Sequence, residues 1–194
     1  MIFLLRAFVL FLLLAAAPAE AVRIFTCGFE ENNLTSTIWT STIGTPTIVT
    51  TPAPHSGTYA GAITAGAARQ FIRNLSASVT SGTYFIRGYL RIAGDPSFND
   101  RELFATFSSG TVFAARLRMD TNRTLEMANV ITGTVITGPI LSVDTWYRVE
   151  MRHLLSDTVG EMELLVDGTS YGTITNEDTL PTNINRFGFG SDAS

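Results

Sequence analysis

The sequence predicts an all-β fold, an antiparallel two-sheet β-sandwich of the jelly-roll type. Short runs of strand-like residues recur along the chain, and Gly, Pro, Asn or Asp residues separate them. No segment repeats apolar residues at helical spacing. About a dozen short strands without a helix are typical of this class.

The clearest strands lie between residues 145 and 175. Residues 146–152 and 161–166 alternate apolar and polar side chains, as half-buried strands do. Asp167-Gly168 predicts a two-residue hairpin turn, because both residue types tolerate positive φ. Residues 171–175 then form the returning strand.

The other strands follow from the same alternation. In chain order they are predicted at 22–29, 47–51, 58–64, 69–75, 83–92, 102–107, 111–119, 124–129, 134–136 and 184–190. Prolines should fall at the ends of these runs or between them, where a missing N–H is harmless; these are Pro46, Pro52, Pro54, Pro96, Pro139 and Pro181.

Composition favours one exported domain. The chain has 194 residues, of which 15% are charged, and its 13 basic residues are all arginine. Schiff-base chemistry through lysine is thereby excluded. A net charge of −4 gives no general attraction for nucleic acid, which needs a basic face.

The first residues have the parts of a secretory signal peptide. Arg6 precedes the apolar run 7–17, and Ala19-Glu20-Ala21 supplies a cleavage site. We therefore expect a leader at 1–21 and a domain at 22–194 that is secreted, extracellular or periplasmic, and free of the membrane after cleavage. The alternative is an uncleaved anchor helix.

Cys27 is the single cysteine, so the chain has no internal disulfide. On the predicted first strand Phe25, Cys27 and Phe29 share a face, which favours a buried apolar role for the thiol over lipid attachment. Three N-x-S/T sequons occur, at Asn33, Asn74 and Asn122, a number that chance explains.

Several segments resemble the concanavalin A-like lectin/glucanase superfamily in its laminin-G-like jelly-roll branch. They are FTCGFE (25–30), PHSGTYAGAI (54–63), TYFIRGYLRI (83–92), TWYRVEMR (145–152) and GEMELLVDG (160–168). The resemblance covers nearly the whole mature chain. It implies two curved antiparallel sheets, one face of which often binds carbohydrate, sometimes with calcium nearby.

The resemblance also implies a closing strand after the RFGFGS segment (186–191). Relatives place that strand beside the first one, whereas this sequence stops at Ser194. Either the chain is a fragment, or its first strand keeps an exposed edge that can pair with another chain.

Catalytic signatures of the superfamily are absent. Its glycosidases carry E-x-D-x-x-E on one strand, and Glu161, Glu163 and Asp167 do not match that spacing. Glu161 and Glu163 are instead expected to face Arg148, Glu150 and Arg152 across the hairpin, as solvated cross-strand pairs. The motifs of alginate lyases are also missing, and the two histidines, His55 and inward-facing His153, are far apart in sequence.

The best binding signal is a set of arginine and aromatic residues. Alternation places Arg87, Tyr89 and Arg91 on one face of run 83–92, and Arg116 with Arg118 on one face of run 111–119. If these strands share a sheet, the guanidinium groups surround Tyr89 and fit an anionic glycan. The alternative is an ordinary outer sheet face, where arginine stems cover apolar surface.

Calcium is the candidate ion. Asp95, Asn99 and Asp100 gather oxygen ligands in one loop, and Asn176-Glu177-Asp178 does so less densely. The alternative is turn chemistry, which uses the same residue types.

The sequence thus predicts a secreted, non-catalytic, lectin-like domain whose partner is a polysaccharide or glycoconjugate. A structural or adhesive surface protein that self-associates through exposed strand edges is the second hypothesis. A polysaccharide-degrading enzyme with an unrecognised site is the third.

Overall fold

A computed structural model describes residues 29–34, 39–63, 68–94, 101–108 and 112–191. Within these ranges the chain forms β-strands and no helix. They are β1 (Ser41–Ile43), β2 (Thr47–Val49), β3 (Ala60–Ala62), β4 (Arg69–Val79), β5 (Gly82–Arg91), β6 (Arg101–Ser108), β7 (Val112–Met119), β8 (Thr124–Asn129), β9 (Val135–Ile140), β10 (Trp146–Leu155), β11 (Gly160–Val166), β12 (Thr169–Glu177) and β13 (Ile184–Ser191). The all-β prediction is confirmed.

The strands build two packed antiparallel sheets and a small hairpin. The larger sheet has seven strands in the order β1-β4-β13-β6-β7-β8-β9, and the smaller has four in the order β12-β11-β10-β5. Strands β2 and β3 pair with each other. Neighbours in both sheets run antiparallel, so the predicted sandwich is confirmed.

The core lies between the two sheets. Its fully buried side chains include Leu117, Leu125, Met127, Met151, Met162, Leu164 and Ile184. The sheets approach closely at Gly88, where an added Cβ would lie 2.6 Å from Cζ of Phe104. Burial of these apolar side chains is the main favourable term in folding.

Turn geometry agrees with the sequence at the predicted hairpin. Asp167 and Gly168 have φ values of 50° and 84°, which suit the two-residue connection between β11 and β12. Pro139 lies within β9 rather than at a run end, contrary to expectation. The sheet tolerates it because β9 is an edge strand.

The predicted first strand falls mostly outside the described residues, as do the leader and Cys27. Phe29, its last residue, lies in a bend with φ of 62°, so it is not a strand residue. Its ring packs against Trp39 and Phe71 at centroid distances of 5.5 and 4.9 Å. These aromatic contacts hold the bend against the edge of the larger sheet.

Among the ranges that the structure describes, no helix is long and apolar enough to cross a membrane.

Candidate functional site

The predicted arginine and aromatic set is divided between the two sheets. Arg87, Tyr89 and Arg91 lie on β5 of the four-stranded sheet, whereas Arg116 and Arg118 lie on β7 of the seven-stranded sheet. Each group faces outward, as alternation predicts, but the core separates the sheets. The condition that both strands share one sheet is therefore not met, and the four guanidinium groups do not surround Tyr89.

We call the outward face of the four-stranded sheet the ladder face, because its charges alternate across strands. Its arginines are ion-paired: Arg87 with Glu150 at 2.7 Å, Arg91 with Asp144 at 2.7 Å, Arg148 with Glu150 at 2.8 Å and Arg152 with Glu161 at 2.9 Å. The last contact confirms the expected pairing of Glu161 across the β10–β11 hairpin. Four arginines thus face carboxylates of their own surface, which leaves the ladder face close to neutral.

We call the outward face of the seven-stranded sheet the recessed face, because several of its polar side chains are buried. It comprises Gln70, Glu102, Ala105, Phe107, Arg116, Arg118, Glu126, Ala128, Arg186 and Gly188. Small residues line its middle, since Gly188, Ala105, Arg116 and Ala128 are successive cross-strand partners. Ala105 and Ala128 are buried, and an added Cβ at Gly188 would lie 2.9 Å from the Phe107 ring, so neighbouring side chains cover this row.

Gln70 and Glu102 are buried although they belong to an outward face. Their residual exposures are only 2% and 1%. Nε2 of Gln70 donates to one carboxylate oxygen of Glu102 at 3.5 Å, and Nη1 of Arg116 donates to the other at 3.5 Å. Removing a carboxylate from water is costly, and these hydrogen bonds from Gln70 and Arg116 offset part of that cost.

Arg186 lies further along the same face, at one end of a row of aromatic rings. Its Cζ atom is 4.2 Å from the centroid of Phe107, whose ring is 4.6 Å from that of Phe113; Cζ of Arg116 lies 5.8 Å from Phe113 at the other end. Burial lowers the pKa of Arg186. Among the described residues no carboxylate forms an ion pair with it. Its charge is therefore available to an anion.

An open groove of about 320 Å³ continues the recessed face past Arg186. It is lined by Asn74, Leu75, Ser76, Ser78, Asn185 and Arg186. It lies at a register irregularity between Ile184 and Arg186, where β13 departs from regular pairing with β4. Amide and hydroxyl groups next to a guanidinium match the mixed polarity of a sugar acid.

Among the described residues, the titratable acidic groups of the recessed face are the carboxylates of Glu102 and Glu126, both bound by arginine. None of the seven strands of this sheet contains a tyrosine or a histidine. His153, predicted to face inward, is buried in the core, and Tyr84 lies beside it. The arrangement can bind an anion and hydrogen-bond hydroxyl groups.

The predicted calcium ligands Asp95, Asn99 and Asp100 lie outside the described residues. In the second candidate loop, Glu177 instead accepts hydrogen bonds from Thr134 Oγ1 at 2.7 Å and Asn129 Nδ2 at 3.1 Å. A hydrogen bond from Thr132 is the main cause that lowers the pKa of Glu177. This carboxylate therefore joins β12 to the β8–β9 turn. In the part of the chain with described positions, no cluster of three or more His, Cys, Asp or Glu side chains could hold a metal.

Sequence reasoning did not find Gln70, Glu102 and Arg186 as site residues. Alternation alone places Gln70 and Arg186 on definite faces of their strands, but only strand order brings Gln70 to Glu102 and Arg186 to Phe107.

The strand order and the two packed antiparallel sheets define a jelly-roll β-sandwich. No protein-family model matches the sequence. No curated protein matches it either.

Solved structures share the fold at low sequence identity. An endo-β-1,4-glucuronan lyase from the fungus Trichoderma reesei is similar with a TM-score of 0.59 and 15% identity, over 79% of this chain and 79% of that one. A SAP-like pentraxin from Limulus polyphemus gives 0.45 and 16%, over 63% of this chain and 58% of that one. A tetrameric galectin from the sponge Cinachyrella sp. gives 0.43 and 14%, over 64% and 89%. The similarity to the lyase concerns the fold.

Proposed function

We propose that this protein is a carbohydrate-binding, lectin-like domain that holds an anionic glycan on the recessed face without cleaving it. The observation that carries the proposal is the guanidinium of Arg186, which forms no ion pair among the described residues and lines a polar groove on the recessed face. The fold that it shares with a glucuronan lyase supports a glycan as the ligand class. We further propose that the chain is of the laminin-G-like branch and is secreted, with the predicted leader as support.

The recessed face suits a sugar carboxylate better than the ladder face does. A guanidinium group binds a carboxylate through two parallel hydrogen bonds. On the ladder face each arginine already binds a carboxylate, whereas Arg186 binds none among the described residues. Asn74, Ser76 and Asn185, which line the groove beside Arg186, would then accept or donate hydrogen bonds to ring hydroxyl groups.

The groups on the strands of this sheet support the proposal of binding without cleavage. Elimination at a uronate requires a base next to the acidic C–H, most often a tyrosine or a histidine. The strands of the sheet supply neither residue. Hydrolysis requires two carboxylates, one of them free to protonate the leaving group, and Glu126 is instead paired with Arg118 at 2.9 Å.

Replacing Arg116 and Arg186 together with alanine is expected to weaken binding to an acidic polysaccharide by a factor of ~10 or more, since each lost charge-assisted hydrogen bond costs about 1.5–3 kcal/mol. The measurement is salt-dependent retention on immobilised polygalacturonate and alginate, with affinities from calorimetry.

The matched control is the double variant Arg148→Ala with Arg152→Ala. It removes the same charge from the ladder face and should keep wild-type affinity. Equal losses in both double variants would reduce the binding to general charge attraction and contradict the proposed site. Release of unsaturated uronides or reducing ends from either polymer would contradict the non-catalytic part.

A further inference from the structure

Three aromatic rings cluster on the ladder face, on the side of the sandwich opposite the recessed face. The rings of His55 and Tyr89 stack with their centroids 3.5 Å apart and their planes 15° apart. Trp146 meets His55 edge-on at 6.0 Å. Tyr89 is 47% exposed, so the cluster is accessible to a ligand.

Phe85 extends this cluster along the same strand. It is 62% exposed and lies four residues before Tyr89 on the same face of β5, about 13 Å away along the strand. Exposed aromatic rings are costly to solvate, and a row of them on one strand marks a binding surface.

The segment that carries His55 is held in place by local contacts. The carboxylate of Glu30 accepts hydrogen bonds from the backbone N–H groups of Thr58 at 3.0 Å and Tyr59 at 3.1 Å. Gly57 has φ of 72°, and an added Cβ would lie 2.3 Å from the same carboxylate. His55 is thus positioned by the fold.

The charges of the ladder face select against an anion. Arg87, which lies between Phe85 and Tyr89, is paired with Glu150 at 2.7 Å. An anionic ligand would have to displace that carboxylate. An uncharged sugar needs no such displacement, because its C–H face packs on an aromatic ring while its hydroxyl groups bond to the rim of the Arg87–Glu150 pair.

We propose that the ladder face is a second glycan site, specific for an uncharged polysaccharide that lies along β5 across Phe85 and the His55–Tyr89 stack. This site is independent of the recessed face, because the core separates the two. A single molecule with glycan sites on opposite sides of the sandwich bridges an acidic and a neutral polysaccharide.

The test is affinity electrophoresis of the full chain in gels that contain barley β-glucan, laminarin or hydroxyethyl cellulose. We expect retardation in at least one gel, and a loss of ~10-fold or more in apparent affinity for Phe85→Ala with Tyr89→Ala. Tyr171→Ala is the matched control, since Tyr171 is an exposed aromatic residue of β12 in the same sheet. Melting temperatures of all variants show whether they are folded.

Three results bear on the proposal. Retardation that survives Arg116→Ala with Arg186→Ala supports a separate neutral site, even if acidic polysaccharides do not bind at all. If none of the three polymers retards the wild-type protein, the proposal is overturned. Concentration-dependent dimerisation that the Phe85, Tyr89 variant abolishes also overturns it, since a second copy would then be the occupant.

Discussion

Lowering the pH from 7 to 4 is expected to reduce the free energy of unfolding by roughly 3 kcal/mol through His153 alone. This side chain is fully buried. Burial lowers its pKa from 6.5 to about 4, and the hydrogen bond to Thr179 opposes that shift only in part. Between these two pH values the unfolded chain binds a proton that the folded chain does not. Stability is therefore complete above pH 6.5 and is lost as the pH falls towards 4.

The surrounding hydrogen bonds explain why the neutral ring is preferred. Nε2–H of His153 donates to the carbonyl of Thr179 at 3.0 Å, which leaves Nδ1 to accept from the hydroxyl of Tyr84. Burial raises the pKa of Tyr84, so its hydroxyl keeps the proton that it donates. A second proton on the imidazole would face that hydroxyl proton and bring an unpaired charge into the core.

The measurement is urea unfolding at several pH values for the wild type and for His153→Gln. Glutamine can still form hydrogen bonds to Tyr84 and Thr179 but does not titrate. The difference in the free energy of unfolding between the two proteins should therefore shrink by roughly 3 kcal/mol from pH 7 to pH 4. The exposed histidine is the control, and His55→Gln should follow the wild type. An NMR titration that places the pKa of His153 near 6.5 in the folded protein would contradict the prediction.

Gly160→Ala is expected to destabilise the protein by about 3 kcal/mol or more. The added Cβ would lie 2.1 Å from Oγ1 of Thr179 and 2.7 Å from the backbone oxygen of Glu177. Thr179 cannot move without loss, because its hydroxyl donates to the carbonyl of Leu154 at 2.6 Å and accepts from the N–H of Ser156 at 3.2 Å. Its carbonyl also holds His153.

Gly94→Ala is the control, since an added Cβ there meets no atom within 4 Å. That variant should stay within about 0.5 kcal/mol of the wild type in urea unfolding. If the free energy of unfolding of Gly160→Ala is also within about 1 kcal/mol of the wild-type value, the prediction is wrong, and the β12–β13 connection can move to accept the added Cβ.

Much of the fold is predictable because strand alternation is local. Runs such as 124–129 coincide with a strand, and the inward parity of His153 holds in the structure. The short strand β1 was not predicted. Pro139 was placed outside a strand because the sequence does not show that β9 lies at a sheet edge.

The candidate site depends on contacts between residues distant in sequence, which the alternation of side chains along one strand does not predict. The alternation of side chains predicted that Arg87 and Arg116 each face outward from their strands, and the structure confirms it. It could not tell that β5 and β7 belong to different sheets, because strand order is set by packing between residues distant in sequence.

The sequence by itself determined the class of fold, the strands and the side of each strand that is buried, since these follow from the two-residue period of a pleated chain. Only the tertiary structure decided which side chains meet on one outward face. It joined Gln70, Glu102 and Arg116 from three strands, packed Arg186 on Phe107 along the same face, and placed Tyr89 with His55 on the opposite side. The physical reason is that strand pairing and the burial of one common core fix long-range neighbours, whereas local alternation fixes only direction.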